Sequence, residues 1–94
     1  MRSKSFARSF GVVVRNHRKA KGLTQEALAE RADRAPKMIS LIERFERNPS
    51  LIVAHSIAFG LSVPLWRLVK DADDLDQRKT TSKKSDEILG ASLP

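Results

Sequence analysis

Apolar residues recur every three or four positions along most of this chain, which is the spacing of α-helices that bury one face. The pattern predicts five short helices between residues 7 and 70, and no segment alternates as a β-strand would. Gly22 is a typical helix terminator, and Thr24 and Ser50 are good N-caps. We therefore expect an all-α domain. The predicted inward residues are Phe10, Val13, Val14, His17, Leu28, Ala29, Ala32, Ile39, Ile42, Leu51, Ala54, Ile57, Ala58 and Leu61.

Residues 25–42 predict two short helices around a tight break. The sequence Asp-Arg-Ala-Pro cannot continue a helix, because Pro36 lacks an N–H and disfavours helical geometry at Ala35. Pro36 suits the first position of the second helix instead. A short exposed helix that is braced by another can enter the major groove of DNA, although an ordinary helical hairpin with a solvated face is the alternative. The outward side of the second helix carries Lys37, Ser40, Leu41 and Arg44.

The charge of the chain is basic and unevenly distributed. The formal net charge is +7, but residues 1–70 carry fourteen Lys and Arg against five Asp and Glu, a balance of +9, whereas residues 71–94 carry four against six. A folded part this basic favours a polyanion as partner, and nucleic acid before a membrane. The sequence has no cysteine, no apolar run of membrane-spanning length and no signal-peptide core, so we expect a soluble, cytoplasmic protein without disulfides.

The composition changes at about residue 71. The chain after this point begins with a run of acids and continues with Lys, Ser and Thr, so it cannot bury enough apolar surface to offset the entropy of ordering. The alternative prediction for the tail is a short segment that docks on a protein partner, formed by Ile88, Leu89 and Leu93. The predicted organisation is a basic N-terminal arm (residues 1–6), a helical DNA-binding domain (residues 7–70) and a disordered, flexible tail (residues 71–94).

Many of the predicted core, turn and capping positions between residues 10 and 69 match the sequence pattern of one known family. They are Phe10, Gly11, Arg15, Arg18, Gly22, Leu23, Thr24, Gln25, Glu26, Leu28, Ala29, Ile39, Ser40, Ile42, Glu43, Arg44, Arg47, Asn48, Pro49, Ser50, Leu51, Ile57, Ala58, Leu61 and Val63. With these residues the chain resembles the Cro- and phage-repressor-type helix-turn-helix family, also called the xenobiotic-response-element type. The blocks GLTQEALAERA and IERxxRNPSL are especially similar to controller proteins of restriction–modification systems. The resemblance implies a homodimer that binds a short double-stranded DNA operator with inverted repeats.

Four residues around the second helix of this motif depart from the family pattern. Asp33 stands where the family usually has a turn glycine, and Asp is among the few residues that tolerate a left-handed backbone. Arg34 replaces an aliphatic residue, and we expect its stem to cover the edge of the core while its head reaches water or phosphate. Ala35 replaces a capping Ser or Thr, and Phe45 replaces a common glycine.

The resemblance also implies which residues contact DNA. Gln25 matches a position that touches phosphate or steadies a base-reading side chain, and Lys37 can donate to O6 or N7 of guanine. Pro36 and Leu41 can make apolar contacts, for example with thymine methyl groups. Arg47 matches a position that contacts the backbone and sets register without reading sequence. The full predicted set is Thr24, Gln25, Pro36, Lys37, Met38, Ser40, Leu41, Arg44, Arg47 and Asn48.

Two further sets of residues take structural roles under this resemblance. Glu43 is predicted to hold the guanidinium of Arg18 and so tie the first helix to the third, two independent surface charges being the alternative. One recognition helix reads too few base pairs to select an operator, so two copies are expected. Large apolar residues stand at family positions that are usually polar, and they predict the dimer interface, unless Trp66 folds over the edge of its own domain. This interface comprises Ile52, Phe59, Leu65, Trp66 and Val69.

The sequence gives little basis for an enzyme. His17 occupies an apolar helix position and is interpreted as a core histidine, while His55 lies far away in sequence. Two such histidines form neither a metal site nor a catalytic group, and no glycine-rich phosphate loop is present, so we expect no catalysis, metal or cofactor. The alternative function is an antitoxin or partner-binding adaptor with the same fold. A neighbouring toxin-like or restriction–modification reading frame, or co-purification with a partner, would discriminate the two.

Overall fold

Five α-helices make up the part of the chain that the computed structural model describes, residues 2–81, with side chains described for residues 4–78. No strand occurs within these residues, so the predicted all-α fold with five helices is confirmed. The helices are α1 (Arg2–Ala20), α2 (Gln25–Ala32), α3 (Pro36–Glu43), α4 (Leu51–Leu61) and α5 (Leu65–Thr81).

Side-chain caps start α2 and α4 at the predicted residues. The hydroxyl of Thr24 accepts a hydrogen bond from the N–H of Ala27 at 2.9 Å. The hydroxyl of Ser50 accepts one from the N–H of Val53 at 3.1 Å. Each bond satisfies one of the amides that a helix leaves unpaired at its first turn. Both predicted N-caps are therefore confirmed.

The hydrophobic core draws residues from every helix. α1 packs chiefly against α5 and α2 against α4, while α3 is held between α1 and α2. The buried residues of each helix recur every three or four positions, which is the spacing that the sequence pattern shows. The buried core residues are Phe10, Val13, Val14, Leu28, Ala29, Ala32, Ile39, Ile42, Ala54, Ile57, Ala58, Leu61, Leu68 and Ala72.

Two glycines let helices approach closely. A Cβ on Gly11 of α1 would collide with the carbonyl oxygen of Ile42 at the end of α3. A Cβ on Gly60 of α4 would stand 3.0 Å from Cδ1 of Leu28 and 3.1 Å from the backbone nitrogen of Ala32. The absence of a side chain at these two positions therefore sets how close α1 lies to α3, and α4 to α2.

The predicted N-terminal arm is helical from its second residue, because α1 already begins at Arg2. Phe6 is half-buried, packs against the core and stacks on Phe10 with ring centroids 6.5 Å apart. The hydroxyl of Ser5 donates to the carboxylate of Asp76 on α5. These contacts stabilise the first turns of α1, and they depend on a part of α5 that the sequence pattern did not predict.

The predicted boundary at residue 70 also differs from the structure, because α5 continues to Thr81. Leu68 and Ala72 are fully buried and Leu75 packs against the core, a spacing of four and three residues along one helical face. The acids between them obscured this pattern in the sequence. Residues 82–94, including the predicted docking segment, lie outside the described residues.

Two residues predicted to face inward are exposed or half-exposed, so these assignments were wrong. Leu51 is 76% exposed, since it is the first residue of α4 and projects beyond the buried face of that helix. His17 is not a core histidine, because its Nε2 lies 2.9 Å from Oδ2 of Asp71 at the half-exposed junction of α1 and α5. The pairing gives this histidine a polar partner that the apolar pattern on α1 alone did not indicate.

Neither a single spanning helix nor a metal cluster is found in the described part of the chain. No one helix among residues 2–81 is long and apolar enough to cross a membrane. α4 and the first part of α5 reach that length and composition only together, and they meet at 103°. Within the same residues, no group of three or more His, Asp or Glu side chains is placed to hold a metal ion.

Candidate nucleic-acid interface

A tight turn after Asp33 sets α3 across α2. Asp33 adopts φ 58° and ψ 46°, the left-handed conformation predicted for it, and its N–H bonds back to the carbonyls of Ala29 and Glu30. Ala35 follows in an extended conformation and gives α3 no side-chain cap, as predicted, so Pro36 opens this helix. The turn leaves one long side of α3 directed away from the core.

A buried hydrogen-bond network holds α3 in place from below. Arg18 donates from Nε to Oε2 of Glu43 at 2.8 Å and from Nη2 to Oε1 at 3.0 Å, a bidentate pair. Its Nη1 donates to the carbonyl of Leu23 at 2.8 Å, and Nε2 of Gln25 donates to Oε1 of Glu43 at 3.0 Å. The hydrogen bonds with Glu43 raise the pKa of Arg18 above its ordinary value, and burial partly opposes this shift. The network ties the end of α3 to α1 and to the first residue of α2.

The outer face of α3 consists of Pro36, Lys37, Met38, Ser40 and Leu41. Pro36 and Lys37 are exposed, and Ser40 and Leu41 are half-buried. Met38 is half-buried and packs against the core, so only part of this side chain reaches the outer face. The inner side of α3 is fully buried. The outer face therefore offers a cation, a hydroxyl and small apolar surfaces on a helix thin enough for a major groove.

Exposed polar residues border this outer face. Arg44 and Glu46 follow α3 and approach each other to 3.6 Å between Nη2 and Oε1, an exposed pair that contributes little to stability. Arg47 and Asn48 are exposed in the same loop. Thr24 is exposed at the start of α2, where the helix dipole places partial positive charge. These groups can interact with phosphates on either side of a groove.

Two of the departures from the family pattern are used for contacts inside the domain. The head of Arg34 was predicted to reach water or phosphate, and part of it bonds inside the domain instead, because Nε donates to the hydroxyl of Ser56 on α4 at 3.0 Å. Phe45 adopts φ 68°, a conformation that explains why glycine is common there in the family. The guanidinium of Arg8 lies 5.4 Å from the centroid of the Phe45 ring.

The sequence pattern did not predict one part of the surface near α3. An open cleft of about 330 Å³, here called the basic cleft, lies between the first turns of α1 and the loop after α3. The signal was the spacing of Lys4 and Arg8, four residues apart on one helical face, but this segment was assigned partly to a loose arm. The cleft is lined by Lys4, Ala7, Arg8, Phe45, Glu46, Arg47 and Asn48.

A short exposed α3, set across α2 by a tight turn and braced by α1, is the arrangement of DNA-binding helix-turn-helix proteins. The HTH_3 model of the helix-turn-helix family matches residues 14–65, more than half of the chain. The chain belongs to this family.

Individual proteins of known sequence or structure agree with this assignment. An uncharacterized HTH-type transcriptional regulator from Methanothermobacter thermautotrophicus is 49% identical over 49 residues, which cover 52% of this chain and 71% of that protein. The restriction-modification controller protein C.AhdI from Aeromonas hydrophila has 34% identity and a TM-score of 0.64, covering 66% of this chain and 94% of its own. The clp gene regulator ClgR from Corynebacterium glutamicum has a TM-score of 0.77 over 95% of both chains, and its 22% identity shows the fold alone. The family is one of DNA-binding transcriptional regulators.

Proposed function

We propose that this protein regulates transcription as a homodimer that binds a short operator with inverted repeats. The outer face of α3 is the main observation in favour, because it combines exposed and half-exposed side chains with a fully buried inner side and a rigid network at its end. The similarity to C.AhdI, a restriction-modification controller protein, supports a regulatory role of this kind.

Lys37 is the principal base-reading residue in this proposal. It is exposed at the second residue of α3, where its ammonium group can donate to O6 or N7 of guanine. Ser40 lies about one helical turn further on and can bond to several base edges. Pro36 and Leu41 contribute apolar contacts, such as those with thymine methyl groups, and Met38 lies at the edge of the same face.

Contacts to phosphate position the outer face of α3 in the groove. Backbone amides at Thr24 and Gln25 lie at the positive end of α2, which favours a phosphate. Gln25 is itself held by its hydrogen bond to Glu43, so the start of α2 keeps its position relative to the end of α3. On the other side, the loop after α3 contributes the exposed side chains Arg44, Arg47 and Asn48.

The second copy is proposed to bind an apolar patch on α4 and α5, formed by Ile52, Phe59, Leu65, Trp66 and Val69. Ile52, Phe59 and Trp66 are 73%, 74% and 60% exposed, so three large side chains of one region contact water in the single chain. Trp66 does not fold into its own domain, although the guanidinium of Arg67 lies 5.2 Å from its ring centroid. Contact with the same patch on a second copy of the chain removes this apolar surface from water.

Selection of bound sequences from a random DNA pool tests the proposed function. We expect enrichment of two inverted half-sites with centres about 34 Å apart, one turn of DNA, because a two-fold dimer presents two copies of α3 at that spacing. Sedimentation of the selected complex should show two chains per duplex. A pool that shows no enrichment, or a single half-site bound by one chain, would contradict the proposal.

A further inference from the structure

The function proposed above uses the loop side of the basic cleft, Arg47 and Asn48, but not its side on α1. Two of its cations come from α1, Lys4 and Arg8, and the third is Arg47 from the loop after α3. Its one acidic lining residue, Glu46, approaches Arg44 outside the cleft at 3.6 Å. α1 itself contains no Asp or Glu from Arg2 to Ala20. The cleft therefore concentrates positive charge, and its ligand should be an anion.

Phe45 holds one of these cations in position. The Arg8 guanidinium lies over the Phe45 ring, 5.4 Å from its centroid, which is within the range of a cation–π interaction. The ring also packs closely on α1, because a Cβ added to Gly11 would stand 3.1 Å from Cδ1 of Phe45. This contact restrains Arg8 at the wall of the cleft, so the side chain loses less conformational freedom when it binds a ligand.

The backbone of Phe45 indicates that its side chain has a use. A bulky residue at φ 68° is strained, and glycine would adopt this conformation without strain. Strained residues of this kind concentrate at functional sites, where the surrounding structure enforces them. Here the surrounding contacts are those with Gly11 and Arg8, and Arg8 belongs to the wall of the basic cleft.

We propose that the basic cleft binds phosphodiester groups of the DNA backbone, with Lys4, Arg8 and Arg47 as ligands and Phe45 as a positioning residue for Arg8. The inference rests on the DNA binding proposed above and extends the contact surface from the loop onto α1. The cleft is open and continuous with Arg47 and Asn48, which suits a polymer that passes across it. A small free anion such as inorganic phosphate would share the same chemistry, so the test must separate the two.

The first test compares Arg8→Ala with Arg78→Ala on the intact protein. Arg78 is an exposed arginine beside Val12 and Asn16 in the groove between α1 and α5, so its removal changes the net charge equally at a distant place. Alanine is a good helix former at both positions. Arg8→Ala should weaken binding to operator and to random duplex alike and reduce the slope of log affinity against log salt by about 1 per protomer. Arg78→Ala should leave the slope unchanged.

The second test asks whether Phe45 acts through Arg8. Phe45→Gly should weaken binding to both duplexes without lowering the thermal midpoint, because glycine favours φ 68°. In the Arg8→Ala background the same change should add no further loss, since interacting residues give non-additive effects. Independent, additive losses would overturn the positioning role.

Three outcomes distinguish failure of the cleft from failure of the proposed function. If Arg8→Ala and Arg78→Ala have equal slopes of log affinity against log salt, while binding by the wild-type protein depends on salt, only the proposal for the cleft is overturned. Millimolar inorganic phosphate could instead stabilise the protein in a manner that depends on Arg8, while Arg8→Ala leaves DNA affinity unchanged. The ligand of the cleft would then be a free anion and not the DNA backbone. A protein that binds neither duplex would overturn both proposals.

Discussion

The outer face of α3 and the apolar patch on α4 and α5 are both exposed, but water affects them in opposite ways. The outer face of α3 and its bordering loop carry Lys37, Arg44 and Arg47, which are well solvated when nothing is bound. The apolar patch exposes Phe59 and Trp66, which gain free energy when covered. The first surface should therefore use charge and be screened by salt, whereas the second should use buried area and be insensitive to it.

The largest expected difference between the two surfaces is their response to salt. If the dimer makes about six to ten phosphate contacts, DNA affinity should fall roughly a thousandfold to a hundred-thousandfold between about 50 and 200 mM salt. Self-association through the apolar patch should change little over the same range. Fluorescence anisotropy with labelled operator and sedimentation of the free protein, in matched buffers, measure the two. A flat DNA response would exclude phosphate neutralisation as the driving force.

The next largest effect should come from the buried network beneath α3. Glu43→Ala leaves the guanidinium of Arg18, itself 9% exposed, without its charge partner, and such a loss costs about 3–5 kcal/mol of stability. Chemical denaturation followed by circular dichroism measures this cost. Glu46→Ala is the matched control, because its pair with Arg44 is exposed and should contribute close to nothing. Equal losses for the two variants would contradict the structural role of Glu43.

Local sequence signals were sufficient to predict much of the fold under the outer face of α3. Thr24 and Ser50 are caps whose partners lie three residues along the same chain, and Asp33 has a conformation set by its own chemistry. Such features depend on short-range geometry. The pairing of Arg18 with Glu43 spans 25 residues, and it was inferred from the family resemblance rather than from local pattern.

The extents of α1 and α5 could not be predicted in this way, because each depends on the other. Ser5 bonds to Asp76 across 71 residues, and Ala72 is buried among residues of other helices. A run of acids with one alanine and one leucine carries no strong helix signal until its partner is known. The basic cleft was missed for the same reason, since it requires the first turn of α1 to be helical beside Arg47.

Trp66→Ala should weaken dimerisation by about 2 kcal/mol or more, because large aromatic residues dominate interface energetics. The monomer should remain helical, since this side chain is 60% exposed within it. Sedimentation gives the dimer constant and circular dichroism the helix content. Leu51→Ala tests the border of the apolar patch, because this side chain is 76% exposed on α4 and lines one groove with Leu65 and Val69. An equal effect of Leu51→Ala would extend the interface over the groove that Leu51 forms with Leu65, Val69 and Phe6. A wild-type monomer at micromolar concentration would exclude the patch.

A smaller effect should separate residues that read bases from residues that contact the DNA backbone, within the outer face of α3 and its bordering loop. Lys37→Ala should weaken operator binding by about 1–3 kcal/mol and relax the preference at one position per half-site. Arg47→Ala should weaken binding to operator and random duplex alike, because phosphates carry no sequence information. Competition binding against single-base operator variants measures both. If Lys37→Ala lowers affinity for the two duplexes equally, Lys37 contacts only the backbone.

The smallest effect concerns how the helices of the two surfaces begin. α4, which carries part of the apolar patch, starts at the Ser50 cap, whereas α3 starts at Ala35 with no side-chain bond to its first turn. Ala35 already has the extended conformation of an N-cap residue, φ −71° and ψ 141°, so a serine there can accept from a first-turn amide without moving the backbone. Ala35→Ser should therefore raise stability by about 0.5–1 kcal/mol, and Ser50→Ala should lower it by a similar amount. Denaturant midpoints measure both changes. Because a serine at this position adds no charge, DNA affinity should stay within about twofold, and a loss of stability would show that the turn before α3 cannot accept a cap.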